Sequence, residues 1–264
     1  MKLVFTDLDG TLLDHDSYSF EAARPALDLL ASRGIPVILA SSKTEAEMRP
    51  IADAIGIAYP MIVENGAGVV GLEPETAFSE GNLPSPYSNL RSFLRELPKE
   101  LSTCFEGFGD WDVARVASET GLPLPAAERA RQRRFSEPGR FTGTEAQKQA
   151  FIALLDAHGF TAVQGGRFFT LMPKTSKAER MAEVVAHYQR LSGGEMTHTV
   201  ALGDAPNDLA MLEAADCGII IANPAHGALP VTERERQGFI LRSEQTGPAG
   251  WNTMIHQLVA TGFL

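Results

Sequence analysis

The sequence predicts an α/β protein, with a doubly wound parallel-sheet core interrupted by an inserted α+β domain. Three observations carry that expectation. The first third of the chain alternates short apolar runs with helical spacing. The same alternation returns near residue 173 and continues to the last residues. Between them, helical patterns are grouped and strand-like runs lie close together. The expected division is a core of residues 1–80 and 173–264 around an insertion of 81–172. A length of 264 residues suits one large domain or two unequal ones, at a soft prior of roughly 150 residues per domain.

The elements follow in order. Leu3-Val4-Phe5 is a buried-strand run. Residues 20–33 repeat apolar positions at helical spacing, and Gly34 follows as a C-terminal cap. Residues 36–40 form a second strand. Thr44 with Glu47 makes a capping box that opens the next helix, which Gly56 closes. Residues 61–63 form a third strand. Strands alternating with helices imply βαβ units and a parallel sheet. Residues 72–88, rich in Pro, Gly, Ser and Asn, read as a linker. Helical patterns then lie near 88–97, 111–120 and 125–134, with another opened by Thr144 and Gln147. Strand-like runs lie near 160–164 and 167–171. Ser176 and Glu179 cap a helix that runs to about Leu191. Strands at 199–202, 218–221 and 239–241 and helices at 208–214 and 251–260 complete the chain.

Composition narrows the function classes. Lys and Arg total 23 and Asp and Glu 33, a formal charge of −10. Nucleic acid and anionic membranes repel such a surface, so neither is expected as a partner. Cys104 and Cys217 are the only cysteines, too few for a disulfide framework and consistent with a reducing cytoplasm. The N-terminal apolar run stops at Asp7, too short for a signal peptide. No stretch of eighteen or more apolar residues occurs, so a cytoplasmic protein outside the membrane is expected.

In open parallel sheets, ligands bind beyond the carboxyl ends of the strands. Four such positions carry suitable chemistry. After the first strand, Asp7 and Asp9 stand at i and i+2 on an extended segment and point the same way. Their mutual repulsion calls for a hard cation such as Mg²⁺; an Asx turn leaving a strand is the plainer alternative. After the second strand, Ser41-Ser42-Lys43-Thr44 offers hydroxyls, backbone N–H groups and an ammonium to a phosphate, or is simply a solvated loop with Thr44 as a cap. Lys177 sits in the first turn of its helix, where a cation opposes the helix dipole at a cost of some tenths of a kcal/mol. A breach of local preference often marks a functional site, though an exposed lysine can tolerate the cost. After a later strand come Gly203-Asp204-Ala205-Pro206-Asn207-Asp208; Asp204 and Asp208 extend the acidic set, and a turn before a helix accounts for them equally well taken alone.

Asp7-x-Asp9-Gly10-Thr11, Ser41, Lys177 and Gly203-Asp204-x-x-Asn207-Asp208 together resemble the four motifs of the haloacid dehalogenase superfamily of phosphatases. The insertion between the second and third motifs is similar to that superfamily's C2-type cap. A narrower likeness rests on Ser41-Ser42-Lys43-Thr44, Glu64-Asn65-Gly66, Arg134-Phe135-Ser136-Glu137, Gln164-Gly165-Gly166-Arg167-Phe168 and Gly247-Pro248-x-Gly250-Trp251. These look like the mannosyl-3-phosphoglycerate phosphatases. One departure is Ala205, where relatives often carry Ser or Gly.

The resemblance implies an enzyme of compatible-solute synthesis that hydrolyses a phosphorylated glycosyl-glycerate, acting as a monomer or homodimer. It implies Asp7 as nucleophile and Asp9 as general acid then base, with Ser41 and Lys177 on the phosphoryl oxygens. It implies Mg²⁺ held by Asp7, the backbone carbonyl of Asp9, and Asp204, with Asp208 close by and Asn207 orienting the ligands. For such a substrate, Arg134, Glu137, Gln164, Gly165, Gly166 and Arg167 of the insertion are the expected contacts, with Lys43 from the core loop. A carboxylate calls for an Arg fork or backbone amides. Gly165-Gly166 is also a good hairpin turn, and Arg129, Arg131, Arg133 and Arg134 also make a solvated helix face. A phosphatase for glucosyl-3-phosphoglycerate or another sugar phosphate, a phosphomutase of the same superfamily, and a non-catalytic binder of phosphorylated ligands remain open from the sequence.

Overall fold

The computed structural model describes residues 1–72, 85–165, 167–225 and 227–264. Along the first stretch run β1 (Lys2–Thr6), α1 (Arg24–Ser32), β2 (Val37–Ala40), α2 (Glu45–Ile55), β3 (Met61–Val63) and β4 (Gly68–Val70). Then come α3 (Pro86–Glu96), α4 (Lys99–Ser102), β5 (Phe105–Gly107), α5 (Val113–Thr120), α6 (Leu124–Arg131), β6 (Glu137–Phe141), α7 (Glu145–Ala157), β7 (Phe160–Gln164) and β8 (Phe169–Pro173). The last stretch holds α8 (Lys177–Leu191), β9 (His198–Gly203), α9 (Leu209–Ala214), β10 (Cys217–Ala222), α10 (Glu233–Arg236), β11 (Ile240–Thr246) and α11 (Gly247–Ala260).

The described residues form two compact units. The first comprises Met1–Ser42, Pro50–Leu72 and Ser176–Leu264; the second holds Lys43–Arg49 and the described residues from 85 to 175. The first unit is built on a seven-stranded sheet in the order β11-β10-β9-β1-β2-β3-β4. All neighbours pair in parallel except β4, which returns antiparallel along β3. Val-, Ile- and Leu-rich strands such as Val37–Ala40 are buried along their whole length, as expected for parallel strands covered on both faces. Leu3, Phe5, Ile38, Ile62, Ala201 and Ile220 from five strands share one core with Met181 and Val184 of α8 and Met211 and Leu212 of α9. The chain winds outward from β1 through β2 and β3, then outward again from β9 through β10 and β11. The winding reverses between β1 and β9, where an open α/β sheet leaves a crevice for ligand.

The second unit carries a four-stranded antiparallel sheet in the order β5-β6-β8-β7. Leu90 and Phe93 of α3, Phe151 and Leu155 of α7, and Phe105, Phe169 and Leu171 of the sheet form its main core. Phe108, Trp111, Val116, Ala127 and Ala130 form a second cluster around α5 and α6. The capping boxes are in place at Thr44 with Glu47 and at Thr144 with Gln147, and the Ser176 hydroxyl accepts from Glu179 N.

The mixed α/β class with a mostly parallel sheet is as the sequence implied. Several bounds differ. The sequence offered no strand for β4, β5 or β6. β6 contains Pro138 and Gly139, both poor strand formers, yet it pairs on each side because packing overrides propensity. The last helix begins at Gly247 rather than near 251, because Pro248 fits the first turn, where its missing N–H is not needed. The expected linker 72–88 lies mostly outside the described residues, which resume at Ser85, the N-cap of α3.

Candidate active site

Five adjacent parallel strands of the first unit each end on a polar residue. Asn223 follows β10, Asp204 follows β9, Asp7 follows β1, Ser41 follows β2 and Glu64 follows β3. Pairing of Thr6 with Leu39 and with Leu202 sets Asp7 level with the ends of both neighbours. The Asp7 amide donates to Leu202 O at 2.9 Å, and the Ser41 amide to Ile62 O at 3.0 Å. Behind Asp7, Trp251 Nε1 donates to Thr6 Oγ1 at 3.0 Å, and Thr6 Oγ1 donates to Asp7 O at 2.8 Å. All three residues are buried.

Asp7, Asp204 and Asp208 bring carboxylate oxygens within 4.8 Å of one another in a buried group. Lys177 enters from the first turn of α8 with 2% of its surface exposed. Its ammonium donates to Asp7 Oδ1 and to Asp208 Oδ1, each at 2.6 Å. These two acids are the counter-charge that its unfavourable place at a helix start demanded. The second oxygen of Asp208 accepts from the amides of Asp204 (3.2 Å) and Ala205 (3.1 Å). Asp204 is gripped on both oxygens: Thr11 Oγ1 donates to Oδ1 and Asn223 Nδ2 to Oδ2, each at 2.7 Å.

Three carboxylates face one ammonium. Burial pushes the Asp7 carboxyl well above its ordinary range; Lys177 opposes this, while Asp208 and Asp204 add to it. Burial works against the Lys177 charge as well, but Asp208 and Asp7 outweigh it and hold its pKa raised. The cluster therefore carries unbalanced negative charge that a divalent cation would neutralise, and its donors are all hard oxygens, the set that suits Mg²⁺. Mg²⁺ fits these residues; the Asp9 side chain, also expected at the metal, is not part of this carboxylate cluster among the described residues.

The lysine is seated by a strained turn. Glu64, Asn65 and Gly66 adopt φ of 53°, 62° and 84°, three left-handed residues in a row of which two are not glycine. A Cβ on Gly66 would fall 2.3 Å from Lys177 N, so only glycine lets the end of β3 pass so close to the start of α8. The turn also touches two other strand ends: Asn65 N donates to Ser41 O at 2.9 Å, and Asn207 Nδ2 donates to Asn65 Oδ1 at 3.2 Å.

The residues expected to bind substrate in the insertion lie in the second unit, as does Lys43. Glu137 is fully buried on β6; its Oε1 accepts from Gly109 N at 2.7 Å and meets Arg91 Nη1 at 3.3 Å. Burial raises its pKa, with the Tyr87 hydroxyl, Gly109 amide and Arg91 opposing. Arg134 pairs with Glu45 at 2.7 Å. Glu137 stands opposite Leu171 and Gln164 opposite Phe169, on the two sides of β8. Gln164 Nε2 donates to Gly165 O at 2.9 Å, and the Gly165 amide to Phe168 O at 2.9 Å. Arg167 donates to the carbonyls of Glu119 (3.3 Å) and Thr120 (2.8 Å) at the end of α5. Gly166 lies outside the described residues. Thr11, Asn65 and Asn223 were given no role by the sequence; the strand-end rule that found Asp204 also marks Asn223.

Known proteins match this description. A family model described as haloacid dehalogenase-like hydrolase matches residues 4–107 and 141–233. A glucosyl-3-phosphoglycerate/mannosyl-3-phosphoglycerate phosphatase of Methanococcoides burtonii is 34% identical, with 97% of each chain covered. A phosphatase of the same name from Persephonella marina is 32% identical, again with 97% of each chain covered. Among solved structures, a sugar phosphatase of haloacid dehalogenase subclass IIB shares the fold at a TM-score of 0.63 and 15% identity, with 100% of both chains covered. A Thermotoga maritima protein does so at 0.63 and 17%, over 97% of this chain and 96% of its own.

Proposed function

Because the chain belongs to the haloacid dehalogenase-like hydrolases, we propose that it is a Mg²⁺-dependent phosphatase acting on a glycosyl-3-phosphoglycerate, mannosyl or glucosyl, through a phosphorylated Asp7. The observation that carries this reading is the buried Lys177 bridging Asp7 and Asp208 beside Asp204 at the point where the sheet's winding reverses. Two curated relatives, covered over nearly their whole length, bear a name specifying this substrate class.

A carboxylate oxygen of Asp7 forms a bond to phosphorus as the bond from phosphorus to the ester oxygen breaks. Asp9 gives its proton to the departing oxygen. It then takes a proton from the water that attacks the aspartyl phosphate, releasing inorganic phosphate and restoring Asp7. The Ser41 hydroxyl and the Lys177 ammonium hold phosphoryl oxygens, and Lys177 keeps Asp7 aligned meanwhile. Trp251 and Thr6 fix the Asp7 backbone from behind. Asp7, Asp204, Asp208 and the Asp9 carbonyl would hold Mg²⁺, which supplies neutralisation of the charge on the transferring phosphoryl group. Asn207 steadies the loop that carries Asp204 and Asp208.

The second unit acts as the cap that selects the substrate, with Lys43, Arg134, Glu137, Gln164, Gly165, Gly166 and Arg167 as its contacts. Among the described residues no helix is long and apolar enough to cross a membrane. Phosphate release across mannosyl-3-phosphoglycerate, glucosyl-3-phosphoglycerate and simple hexose phosphates tests the reading. A kcat/KM for either glycosyl-phosphoglycerate well above that for hexose phosphates is expected; equal values across the panel would overturn the substrate class.

A further inference from the structure

We infer that Asn223 is a positioning residue for the metal site, holding Asp204 in the orientation in which it binds the cation. The inference rests on the metal reading above and adds a residue that none of the four motifs contains. Asn223 directly follows β10, the strand beside the one that delivers Asp204. Its Nδ2 donates to Asp204 Oδ2 at 2.7 Å. Its own orientation is fixed in turn, because its Oδ1 accepts from Ala225 N at 2.9 Å. With the oxygen engaged by an amide that can only donate, the NH₂ group must face Asp204.

The opposite oxygen of Asp204 is held by Thr11. The carboxylate is thereby clasped from both sides. The clasp also gives Gly10 a steric task. Gly10 has φ of +80°, and a Cβ there would fall 2.3 Å from Asn223 Nδ2. The turn after Asp9 is thus shaped to let Asn223 reach across to Asp204. Groups that orient a metal ligand from behind typically account for about 10–100-fold in metal affinity or activity. Asn223 also lines two cavities.

Two variants test the assignment. Asn223→Ser keeps an oxygen that can accept from Ala225 N but is too short to reach Asp204; Asn223→Ala loses both contacts. Mn²⁺ affinity is read by electron paramagnetic resonance on the full chain, alongside the Mg²⁺ concentration for half-maximal phosphate release and the melting temperature in EDTA. Both variants should bind Mn²⁺ about 10–100-fold more weakly and need correspondingly more Mg²⁺. Saturating Mg²⁺ should restore most of kcat, and Asn223→Ser should melt with the parent in EDTA. Mn²⁺ affinity within twofold of the parent in Asn223→Ser would overturn the assignment. So would failure of both variants to fold, which would give Asn223 to the turn alone. A parent that binds no Mn²⁺ would instead remove the metal reading on which this one stands.

Discussion

Replacing Lys177 by Met isolates the central electrostatic feature. The two side chains are similar in length, so the change deletes the charge and both 2.6 Å hydrogen bonds while leaving most of the packing. Asp7 and Asp208 then face each other in a buried site without a counter-charge, and removing one partner from a buried pair costs about 3–5 kcal/mol. The chain can limit that cost by taking up one proton. At pH 7, about three units above an ordinary Asp pKa, and at 1.36 kcal/mol per unit, the ceiling is about 4 kcal/mol. At pH 5 the same reckoning leaves about 1.5 kcal/mol. The sign follows from linkage: a carboxyl whose folded pKa is raised favours the fold at low pH and loses that advantage as pH rises through the folded value. In EDTA at pH 7, Lys177→Met should therefore melt lower, by at most roughly 8–16 °C at about 2–4 °C per kcal/mol, and by much less at pH 5. Differential scanning calorimetry in EDTA at the two pH values is the assay. Mg²⁺ should narrow the gap, because a cation supplies the lost counter-charge, while phosphate release stays abolished. A variant that melts with the parent at pH 7, or loses more stability at pH 5, would refute the charge argument.

Three further substitutions probe other parts of the molecule. Asn65→Gly suits the left-handed backbone of the turn and removes the Asn207 contact, so melting temperature should hold or rise while kcat falls several-fold; unchanged kcat would detach the strained turn from catalysis. Glu137→Gln removes a buried acid whose pKa is raised, whose contribution is present at low pH and lost as pH rises through its folded value. Chemical denaturation should show the variant gaining on the parent as pH rises from the ordinary glutamate range, and a constant difference would contradict the burial argument. Arg167→Ala should raise KM for the glycosyl-phosphoglycerate while p-nitrophenyl phosphate hydrolysis stays level; parallel losses would assign Arg167 to its contacts at the end of α5.

The parallel core was legible because its strands are short unbroken apolar runs, set between capped helices and ended by polar residues. Asp7, Ser41 and Asp204 each stand where that grammar places a polar residue, and Lys177 stood out because it breaks a local rule. β5 and β6 were hidden because Gly107, Pro138 and Gly139 signal loops, and their pairing comes from long-range packing. The Thr11–Asp204–Asn223 clasp joins positions 193 and 19 residues apart, which no local pattern records. The left-handed turn at Glu64–Gly66 was half visible: Asn-Gly marks a turn, but nothing in it shows that α8 starts against Gly66.

The most direct test of the account is a search for phosphate on Asp7. The enzyme is mixed with a glycosyl-3-phosphoglycerate and Mg²⁺, quenched in acid within the first turnover, digested and analysed by mass spectrometry. The peptide containing Asp7 should carry one added phosphoryl group. Asp7→Asn should carry none and release no phosphate. Phosphate release by Asp7→Asn at the parent's rate, or a phosphoryl group found on another residue of the parent, would contradict the account.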